Sequence, residues 1–278
     1  MSQLVLHSYL NGKFYRGNSP LLKVNDLGLY RAYAVFDYLR SYNKTLFRVE
    51  NYAERFLFSA SEMHIHNPVL KTELVEILHQ LNRLTNLPNI GIRLLLTGGY
   101  TKDGITPDKS NLIISSEMFQ PLVNEQYQKG VKIITENFIR YQPHIKTNNY
   151  AHVIKLRKEK KMNDVYDVLY CYRGKVLETS RNNIFIINGN TLVTPQKNIL
   201  HGVTRKVVLE LAQNKFTVEE REISKKELLE AEEVFLTGTT KKVLPVTNIN
   251  NQLFSKGKIG NKTKELLKLF DSYIQEYK

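Results

Sequence analysis

The sequence has little cysteine and no long apolar run. Cys171 is its only cysteine, so no disulfide can form within the chain, and a reducing cytoplasm is the expected location. Because Cys171 lies in residues 166–172, a stretch typical of a strand, we interpret it as a strand residue and not as a nucleophile. No apolar run approaches a membrane span, and the first residues lack a basic leader. We expect no membrane partner.

Several catalytic signatures are also missing. The chain contains no glycine-rich dinucleotide fingerprint, no nucleotide P-loop and no Gly-x-Ser-x-Gly elbow. None of its seven histidines forms a His-Glu-x-x-His motif. His64 and His66 share a face of an extended pattern, but no cysteine or carboxylate cluster accompanies them, so no metal site is expected.

The composition is that of a globular protein with a basic surface. The chain has 278 residues, of which 42% are hydrophobic and 24% charged, enough for one large domain or two of ordinary size. Its net charge of +13 indicates either a nucleic-acid partner or a lysine-rich surface that serves an anionic ligand. The densest basic run, residues 155–161, has a helical period and no interleaved aromatics, so we interpret it as a solvated helix face.

Helix and strand patterns alternate along the whole chain, which predicts an α+β or α/β fold. Turn signals stand at Asn11-Gly12, Arg173-Gly174 and Asn188-Gly189. Apolar residues recur at helical spacing over residues 50–63, 70–84 and 261–277. The polar, proline-containing stretch 119–130 predicts a connection between a small N-terminal domain, residues 1–118, and a larger C-terminal domain, residues 131–278.

Two arginines lie on or beside faces that the sequence pattern predicts to be apolar, where a charged side chain needs a partner. Arg40 alternates onto the same strand face as Phe36, Tyr38 and Tyr42, so it either extends past a strand end or meets a buried anion. Arg55 lies beside the apolar stripe of the helix predicted for residues 50–63. It either forms an i,i+4 or surface salt bridge, or points inward and meets a negatively charged group there.

Lys146 and Glu178 are the pair on which a cofactor site can be built. Lys146 precedes a predicted helix, and Glu178 ends a strand that hairpins back. A lysine amine can form a Schiff base with the aldehyde of pyridoxal phosphate. A carboxylate facing the ring nitrogen keeps that nitrogen protonated, so the ring can accept electrons from the substrate's α-carbon.

Two turns are suited to a phosphate group. Gly202 enters a predicted helix, and Gly238-Thr239-Thr240 follows a short strand. Backbone N–H groups at a helix start, together with threonine hydroxyls, can bind phosphate oxygens. Each turn alone is common in proteins, so the prediction depends on both serving one ligand.

These segments occur in the order found in the fold-type IV, or class IV, pyridoxal phosphate aminotransferases, and the chain resembles that family over essentially its whole length. The matching motifs are Asn11-Gly12, Asp26-x-Gly28, Val35-Phe36-Asp37, Arg55-Phe-x-x-Ser59-Ala60, Lys146-x-x-Asn149-Tyr150, Glu178-x-x-x-Asn182-Asn183-x-Phe185, Thr194-Pro195, Leu200-x-Gly202-Val203-Thr204-Arg205, Gly238-Thr239-Thr240 and Pro245-Val246. The resemblance implies a two-domain fold with pyridoxal 5′-phosphate between the domains, and a homodimer whose sites borrow a loop from the neighbour.

The resemblance also implies a role for each site residue. Lys146 would bind the cofactor covalently and move the proton at the substrate's α-carbon. Glu178 would hold the ring nitrogen, and Tyr150 would hydrogen-bond the phenolic oxygen. The remaining cofactor contacts would come from Arg55, Asn183, Val203, Thr204, Thr239 and Thr240.

The substrate side departs from the better-known members. Branched-chain aminotransferases usually carry tyrosines where this chain has Arg31 and Gly91, and aminodeoxychorismate lyases carry a threonine where it has Tyr38. Residues 31–38 and 91–100 are similar to a less typical group of D-amino-acid transaminases. That similarity implies that Arg31, reaching from the partner subunit, and Arg93 bind the substrate carboxylate, with Tyr38 and Thr240 beside them.

A D-amino-acid transaminase acting with a 2-oxo acid such as 2-oxoglutarate is therefore the leading hypothesis. A branched-chain or broad L-amino-acid aminotransferase is the alternative, and a lyase ranks below it. A basic, non-enzymatic nucleic-acid-binding protein is the hypothesis from another class, and it rests on charge alone. A subunit-interface salt bridge remains the competing role for Arg31.

Overall fold

The computed structural model describes residues 4–18, 21–159, 162 and 164–277. They divide into two compact units. Unit 1 contains residues 1–120, 145–149 and 277–278, and unit 2 contains residues 121–144 and 150–276. Residues 145–149 thus lie in unit 1, whereas the sequence placed them in the C-terminal domain. Backbone pairing of Thr147 with Val35 is the reason.

Unit 1 is built on a six-stranded sheet with two long helices. Its elements are β1 (Val5–Leu10), β2 (Lys13–Arg16), α1 (Leu27–Tyr30), β3 (Ala34–Tyr42), β4 (Thr45–Leu46), α2 (Val49–Glu62), α3 (Lys71–Thr85), β5 (Ile90–Thr97) and β6 (Asn111–Met118). The strand order is β2-β1-β6-β5-β3-β4, and these pairings are antiparallel. Helices α2 and α3 pack against the sheet. Their buried stripes include Tyr52, Phe56, Leu74 and Leu78.

Strand β3 has two chemically distinct faces, as its alternating sequence predicts. Asp37, Leu39 and Ser41 are fully buried. Tyr38 lies directly opposite Arg93 on β5, so both side chains are on the other face. This second face carries Tyr38 and Arg93, two of the predicted substrate residues.

Unit 2 is built on a ten-stranded mixed sheet. Its elements are α4 (Asn124–Lys129), β7 (Val131–Asn137), α5 (Ala151–Glu159), β8 (Asp167–Tyr172), β9 (Lys175–Thr179), β10 (Asn183–Asn188), β11 (Thr191–Thr194), α6 (Val203–Ala212), β12 (Thr217–Glu220), β13 (Ile223–Ser224), α7 (Lys225–Glu230), β14 (Glu233–Gly238), β15 (Lys242–Ile249), β16 (Gln252–Leu253), a 3₁₀ turn (Ser255–Gly257) and α8 (Asn261–Glu276). The order is β12-β11-β10-β14-β15-β7-β8-β9-β13, with β16 paired to β15.

Unit 2 buries its own apolar core. Ile133, Leu169, Ile184 and Leu236 are among its fully buried members. A smaller cluster joins α5 to β8 through Val153, Leu156 and Val168. Each unit therefore has a separate core, as is typical of a domain.

Local turn chemistry explains the hairpins. Asn11 and Gly12 both have positive φ angles, 45° and 96°, as the predicted tight turn between β1 and β2 requires. Arg173 and Gly174 join β8 to β9 in the same way. The third turn lies one residue later than predicted, because Asn188 pairs with Thr191 and leaves Gly189 and Asn190 as the loop.

The stretch 119–130 is partly helical, since α4 occupies most of its second half, although the sequence predicted only a polar connection. The basic run lies largely on α5, where Lys155 and Lys158 are exposed; residues 160 and 161 lie outside the described part. Within the described ranges no helix is long and apolar enough to cross a membrane.

Candidate active site

Lys146 is held by its backbone at the edge of the unit 1 sheet. Its carbonyl accepts a hydrogen bond from the Phe36 amide at 2.9 Å. Its own amide donates to Ser59 Oγ on α2 at 3.2 Å. The Nζ atom lies 4.6 Å from the centre of the Phe36 ring. The lysine is therefore fixed at its base by a strand and a helix, while its amine is placed against an aromatic ring.

Arg55 meets an anion inside unit 1, and that anion is Asp37. Arg55 Nε and Nη2 contact the two carboxylate oxygens of Asp37 at 2.9 and 2.6 Å. Asp37 is fully buried and also accepts from the Tyr38 amide. This pair is buried and joins residues 18 positions apart, so it is not the i,i+4 or surface salt bridge of the first alternative but an inward arginine that meets a buried negative charge. Binding of a phosphate by Arg55 stays a prediction.

Tyr38, Arg93 and Glu117 form a polar group on the open face of β3, β5 and β6. Arg93 Nη2 lies 3.4 Å from Glu117 Oε1, and Arg93 Cζ lies 5.1 Å from the centre of the Tyr38 ring. Burial, followed by the charge and hydrogen bond of Glu117, raises the pKa of Tyr38. The phenol is therefore a hydrogen-bond donor at neutral pH.

Arg40 lies further along the same face and is buried. Its guanidinium carbon is 3.9 Å from the centre of the Tyr42 ring and 3.4 Å from that of Phe119. The rings of Tyr42 and Phe119 therefore stack on Arg40. The sequence left open whether this arginine extends past a strand end or meets a buried anion. Stacking on aromatic faces is a favourable environment for a guanidinium.

Arg31 follows α1 and is exposed. Its Nε donates to the Gly104 carbonyl at 3.1 Å, and Nη1 donates to the Tyr30 carbonyl at 3.3 Å. The loop that carries Gly104 is ordered by Asp103, which accepts hydrogen bonds from Thr106, Ile105 and Thr101. Those bonds lower the pKa of Asp103, with Thr106 contributing most. The Arg31 guanidinium is thus oriented by a loop with its own internal anchor.

In unit 2, Glu178 is buried and fixed through both carboxylate oxygens. Arg140 Nε and Nη2 contact its Oε1 at 2.8 and 2.5 Å. The Leu200 amide donates to Oε2 at 2.9 Å. Because Arg140 also donates to the Pro143 carbonyl, its guanidinium is itself anchored. The arrangement surrounds a buried carboxylate with a guanidinium and a backbone N–H donor, which is an environment suited to a carboxylate that faces a protonated ring nitrogen.

Asn183 and Glu178 both hydrogen-bond Leu200, in the turn before α6. Its side-chain amide donates to the Leu200 carbonyl at 2.7 Å. A Cβ atom at Gly202 would lie 2.3 Å from Asn183 Oδ1, so the turn approaches this closely only because residue 202 is glycine. Val203 and Thr204 then begin α6 and are buried. Their amides belong to the first helical turn, whose N–H groups have no partner within the helix.

The second glycine turn ends β14. The Lys241 amide donates to the Gly238 carbonyl at 2.9 Å, which closes the turn around Thr239 and Thr240. A Cβ atom at Gly238 would lie 2.6 Å from Asn182 Oδ1. Asn182 in turn donates to Asp167, a fully buried carboxylate that also accepts from Thr179 and Ser180. The turn is thereby set on a rigid polar support.

Unit 2, taken by itself, carries groups that fit pyridoxal phosphate. They are a buried carboxylate, two glycine turns with adjacent threonines, and the phenol of Tyr150, whose pKa is raised mainly by burial. In the part of the chain that the structure describes, Asn182 Oδ1 and Thr237 Oγ1 are buried without a hydrogen-bond partner beside the second turn. Unit 1, described by itself, carries the amine of Lys146 and the inward guanidinium of Arg55. Among the residues that the structure describes, no group of three or more His, Cys, Asp or Glu side chains is placed to hold a metal ion.

Sequence reasoning gave no site role to four residues that contact the predicted site residues or order a loop beside them. Arg140 pairs with Glu178, Glu117 contacts Arg93, Asp37 pairs with Arg55, and Asp103 orders the loop beside Arg31. The available signal was charge balance, because a buried Glu178 or an inward Arg55 requires an opposite charge. Nothing local in the sequence says which residue provides it.

Comparisons of the sequence with known proteins give matches over most of the chain. A profile of the family described as amino-transferase class IV matches residues 34–249. A Methanocaldococcus jannaschii protein, provisionally named a branched-chain-amino-acid aminotransferase, is 30% identical over 274 residues, 94% of each chain. D-alanine aminotransferase of Staphylococcus epidermidis is 27% identical over 277 residues, 97% of this chain and 98% of its own.

Solved structures share the fold. The T.th. branched-chain amino acid aminotransferase, in its crystal structure with pyridoxamine 5′-phosphate, superposes with a TM-score of 0.91 at 22% identity, covering 99% of this chain and 95% of its own. The branched-chain enzyme of Escherichia coli gives a TM-score of 0.88 at 23% identity, covering 97% and 94%.

Proposed function

Because this chain belongs to the class IV aminotransferases, we propose that it moves an amino group from a D-amino acid to a 2-oxo acid such as 2-oxoglutarate. The family, the fold-type IV architecture and the dependence on pyridoxal phosphate predicted from the sequence are confirmed. The hand of the substrate is our proposal. It rests on one observation: Arg93 presents a partly exposed guanidinium beside Tyr38, and residue 91, two positions earlier, is a glycine.

When bound, pyridoxal phosphate supplies a conjugated ring that takes up the electron pair released at the substrate's α-carbon. We assign the covalent attachment of its aldehyde carbon to Lys146 Nζ, which also moves the α-proton. Glu178 would accept a hydrogen bond from the ring nitrogen, with its carboxylate held in place by Arg140. Tyr150 would donate to the phenolic oxygen.

We assign the phosphate to groups of both glycine turns and to Arg55. Amides at the start of α6 and hydroxyl groups can bind phosphate oxygens, and a guanidinium adds charge. The residues assigned to the cofactor on this side are Arg55, Asn183, Val203, Thr204, Thr239 and Thr240.

On the substrate side, Arg31 and Arg93 bind the carboxylate, with Tyr38 and Thr240 next to it. A guanidinium binds a carboxylate through two parallel hydrogen bonds. Two arginines can therefore hold a dicarboxylate such as glutamate. We further infer a cytoplasmic homodimer in which Arg31 serves the neighbouring subunit. Exposed apolar residues on the same segments support the dimer, since Leu29 is 64% and Ile105 75% exposed.

A branched-chain or broad L-amino-acid aminotransferase is the second candidate, and the Methanocaldococcus relative favours it. Single-turnover half-reactions of the purified holoenzyme with D-glutamate, D-alanine and L-leucine separate the two. We expect the D-amino acids to change the absorbance of the bound cofactor fastest. Reaction with L-leucine alone would contradict the proposal.

A further inference from the structure

Gly91 makes room for a side chain from the neighbouring strand. A Cβ atom built on Gly91 would lie 1.9 Å from the Tyr38 hydroxyl oxygen and 2.6 Å from Tyr38 Cζ. Neither distance is compatible with a real side chain, and both contacts involve a rigid ring. The φ angle of Gly91 is not positive, so the glycine is needed for space and not for backbone conformation. The Tyr38 phenol crosses the backbone of β5 at this residue.

Crossing Gly91 brings the Tyr38 hydroxyl to Glu117. Glu117 lies opposite Gly91 on β6 and is 3% exposed. After burial, its charge and its hydrogen bond with the Tyr38 side chain contribute to the raised pKa of Tyr38. A buried carboxylate needs such donors. With a side chain at residue 91, the phenol could not reach it.

Glu117 also faces Arg93, but loosely. The Nη2–Oε1 distance of 3.4 Å exceeds the roughly 2.7–2.9 Å of a strong charge-assisted hydrogen bond. Arg93 is 42% exposed. The Glu117 carboxylate thus faces two groups that differ in charge: the neutral phenol of Tyr38 and a guanidinium that is partly exposed to solvent.

We propose that Gly91 and Tyr38 control the availability of Arg93: the Tyr38 hydroxyl holds Glu117 and prevents its carboxylate from pairing fully with the guanidinium. Arg93 then keeps its donors for the carboxylate of the substrate. Tyr38 and Gly91 are positioning residues in this scheme, and they act through Glu117. The inference rests on the proposed role of Arg93 in substrate binding.

Any side chain at residue 91 would displace the Tyr38 phenol. Residues 38 and 91 are a coupled pair that determines how substrate carboxylates are bound.

The test uses Tyr38→Phe, which keeps the ring and removes only the hydroxyl. Released from Tyr38, Glu117 closes on Arg93. We expect KM to rise about tenfold for both the amino acid and the 2-oxo acid, the size of one charge-assisted hydrogen bond. The kcat and the absorbance of the bound cofactor stay within about twofold. Tyr9→Phe, which removes the hydroxyl of another buried tyrosine of unit 1, is the matched control and leaves KM unchanged.

Rescue by Glu117→Gln separates this role from a merely structural one. Glutamine keeps the shape of Glu117 but cannot neutralise Arg93. In the Tyr38→Phe background it returns KM to within about threefold of wild type. Absence of rescue, or a Tyr38→Phe enzyme with normal KM, overturns the inference.

Two further variants complete the design. Gly91→Ala should reproduce the KM defect of Tyr38→Phe; if Gly91→Ala fails to fold, the Tyr38→Phe and Glu117→Gln pair still decides. Arg93→Met tests the underlying assignment. An unchanged KM in Arg93→Met removes Arg93 from substrate binding, whereas a raised KM without the Tyr38 and Glu117 effects removes only the inference.

Discussion

At the scale of single residues, Lys146 is the one on which the proposed chemistry depends. Its backbone is fixed by Phe36 and Ser59, so removing the side chain should leave the local structure intact. Lys146→Ala should lower transamination by at least about 10²–10⁴-fold, the contribution of a positioned acid–base group. The cofactor should remain partly bound through the protein groups assigned to its phosphate, as measured by absorbance after desalting. Full turnover in this variant would exclude the assigned role.

Arg140 and Glu178 form a buried ion pair whose two halves depend on each other. Arg140→Met leaves an uncompensated carboxylate, so we expect a loss of about 3 kcal/mol in the free energy of unfolding. Urea denaturation of the cofactor-free protein measures it. The double variant Arg140→Met/Glu178→Gln removes the stranded charge and should recover part of the loss. Equal stability of the single variant and wild type would show that the pair is not needed for folding.

Lys241 is a further residue whose charge is unfavourable in the folded chain. Burial, and then the nearby Arg181, lower its pKa to about 8. Between about pH 8 and pH 10.4 the unfolded chain therefore binds one more proton than the folded chain, and wild-type stability rises with pH.

Lys241→Met should accordingly be more stable than wild type at pH 7, by roughly 1–3 kcal/mol, with the difference shrinking as the pH rises through 8 toward 10. Thermal melts of the cofactor-free proteins across this range test it. A difference that does not change with pH would mean that the titration of Lys241 is not its cause. Lys226→Met, at an exposed lysine of α7, is the control.

At the scale of elements, the sequence predicted those helices and turns that are determined by residues close together in the chain. The helices predicted over residues 50–63 and 70–84 are α2 and α3, because their apolar residues repeat at helical spacing. Asn11-Gly12 and Arg173-Gly174 form the predicted turns, since both residues of each adopt positive φ. The pairing of Thr147 with Val35 could not be predicted this way, because it joins segments that are far apart in the chain.

The same reason explains the site residues that sequence reasoning missed. Glu178 and Lys146 stand in recognisable motifs, but Arg140 and Glu117 follow no pattern near them. Their partners are set by the register of β5 with β6 and by the turn after β7. Motif order can identify a family, whereas the counter-charges that tune its residues emerge only in three dimensions.

The loop that holds Arg31 yields a prediction at this scale. Asp103→Ala removes the acceptor that orders residues 101–106, so the Gly104 carbonyl no longer orients Arg31. We expect KM for the amino acid to rise about threefold, less than in Arg31→Ala, because one orienting contact is weaker than the whole guanidinium. In the Arg31→Ala background the Asp103 change should have no further effect. An independent, additive effect in the double variant would show that Asp103 acts elsewhere.

At the scale of the whole molecule, charge and exposed apolar surface indicate different partners. The net charge of +13 suits anionic substrates and a phosphate-bearing cofactor, so a nucleic acid is not needed to explain it. The apolar residues near Arg31 do need an explanation. Val24 is 77% exposed, along with Leu29 and Ile105, and Arg31 and Asn25 hydrogen-bond the neighbouring loop. We propose a second copy of this chain as that partner, because it would also bring Arg31 to a substrate.

Leu29→Glu tests that dimer, because burying a carboxylate in an apolar contact is costly without a partner. Light scattering after size exclusion should show that wild type has twice the mass of the variant. The variant should lose substrate affinity, because Leu29 is next but one to Arg31 in the sequence. It should keep the absorbance of the cofactor, because Lys146 lies far from both residues in the sequence. Leu253→Glu, at an exposed leucine of β16, should leave both properties unchanged. A wild-type protein that is monomeric and fully active would show that Arg31 acts within its own chain.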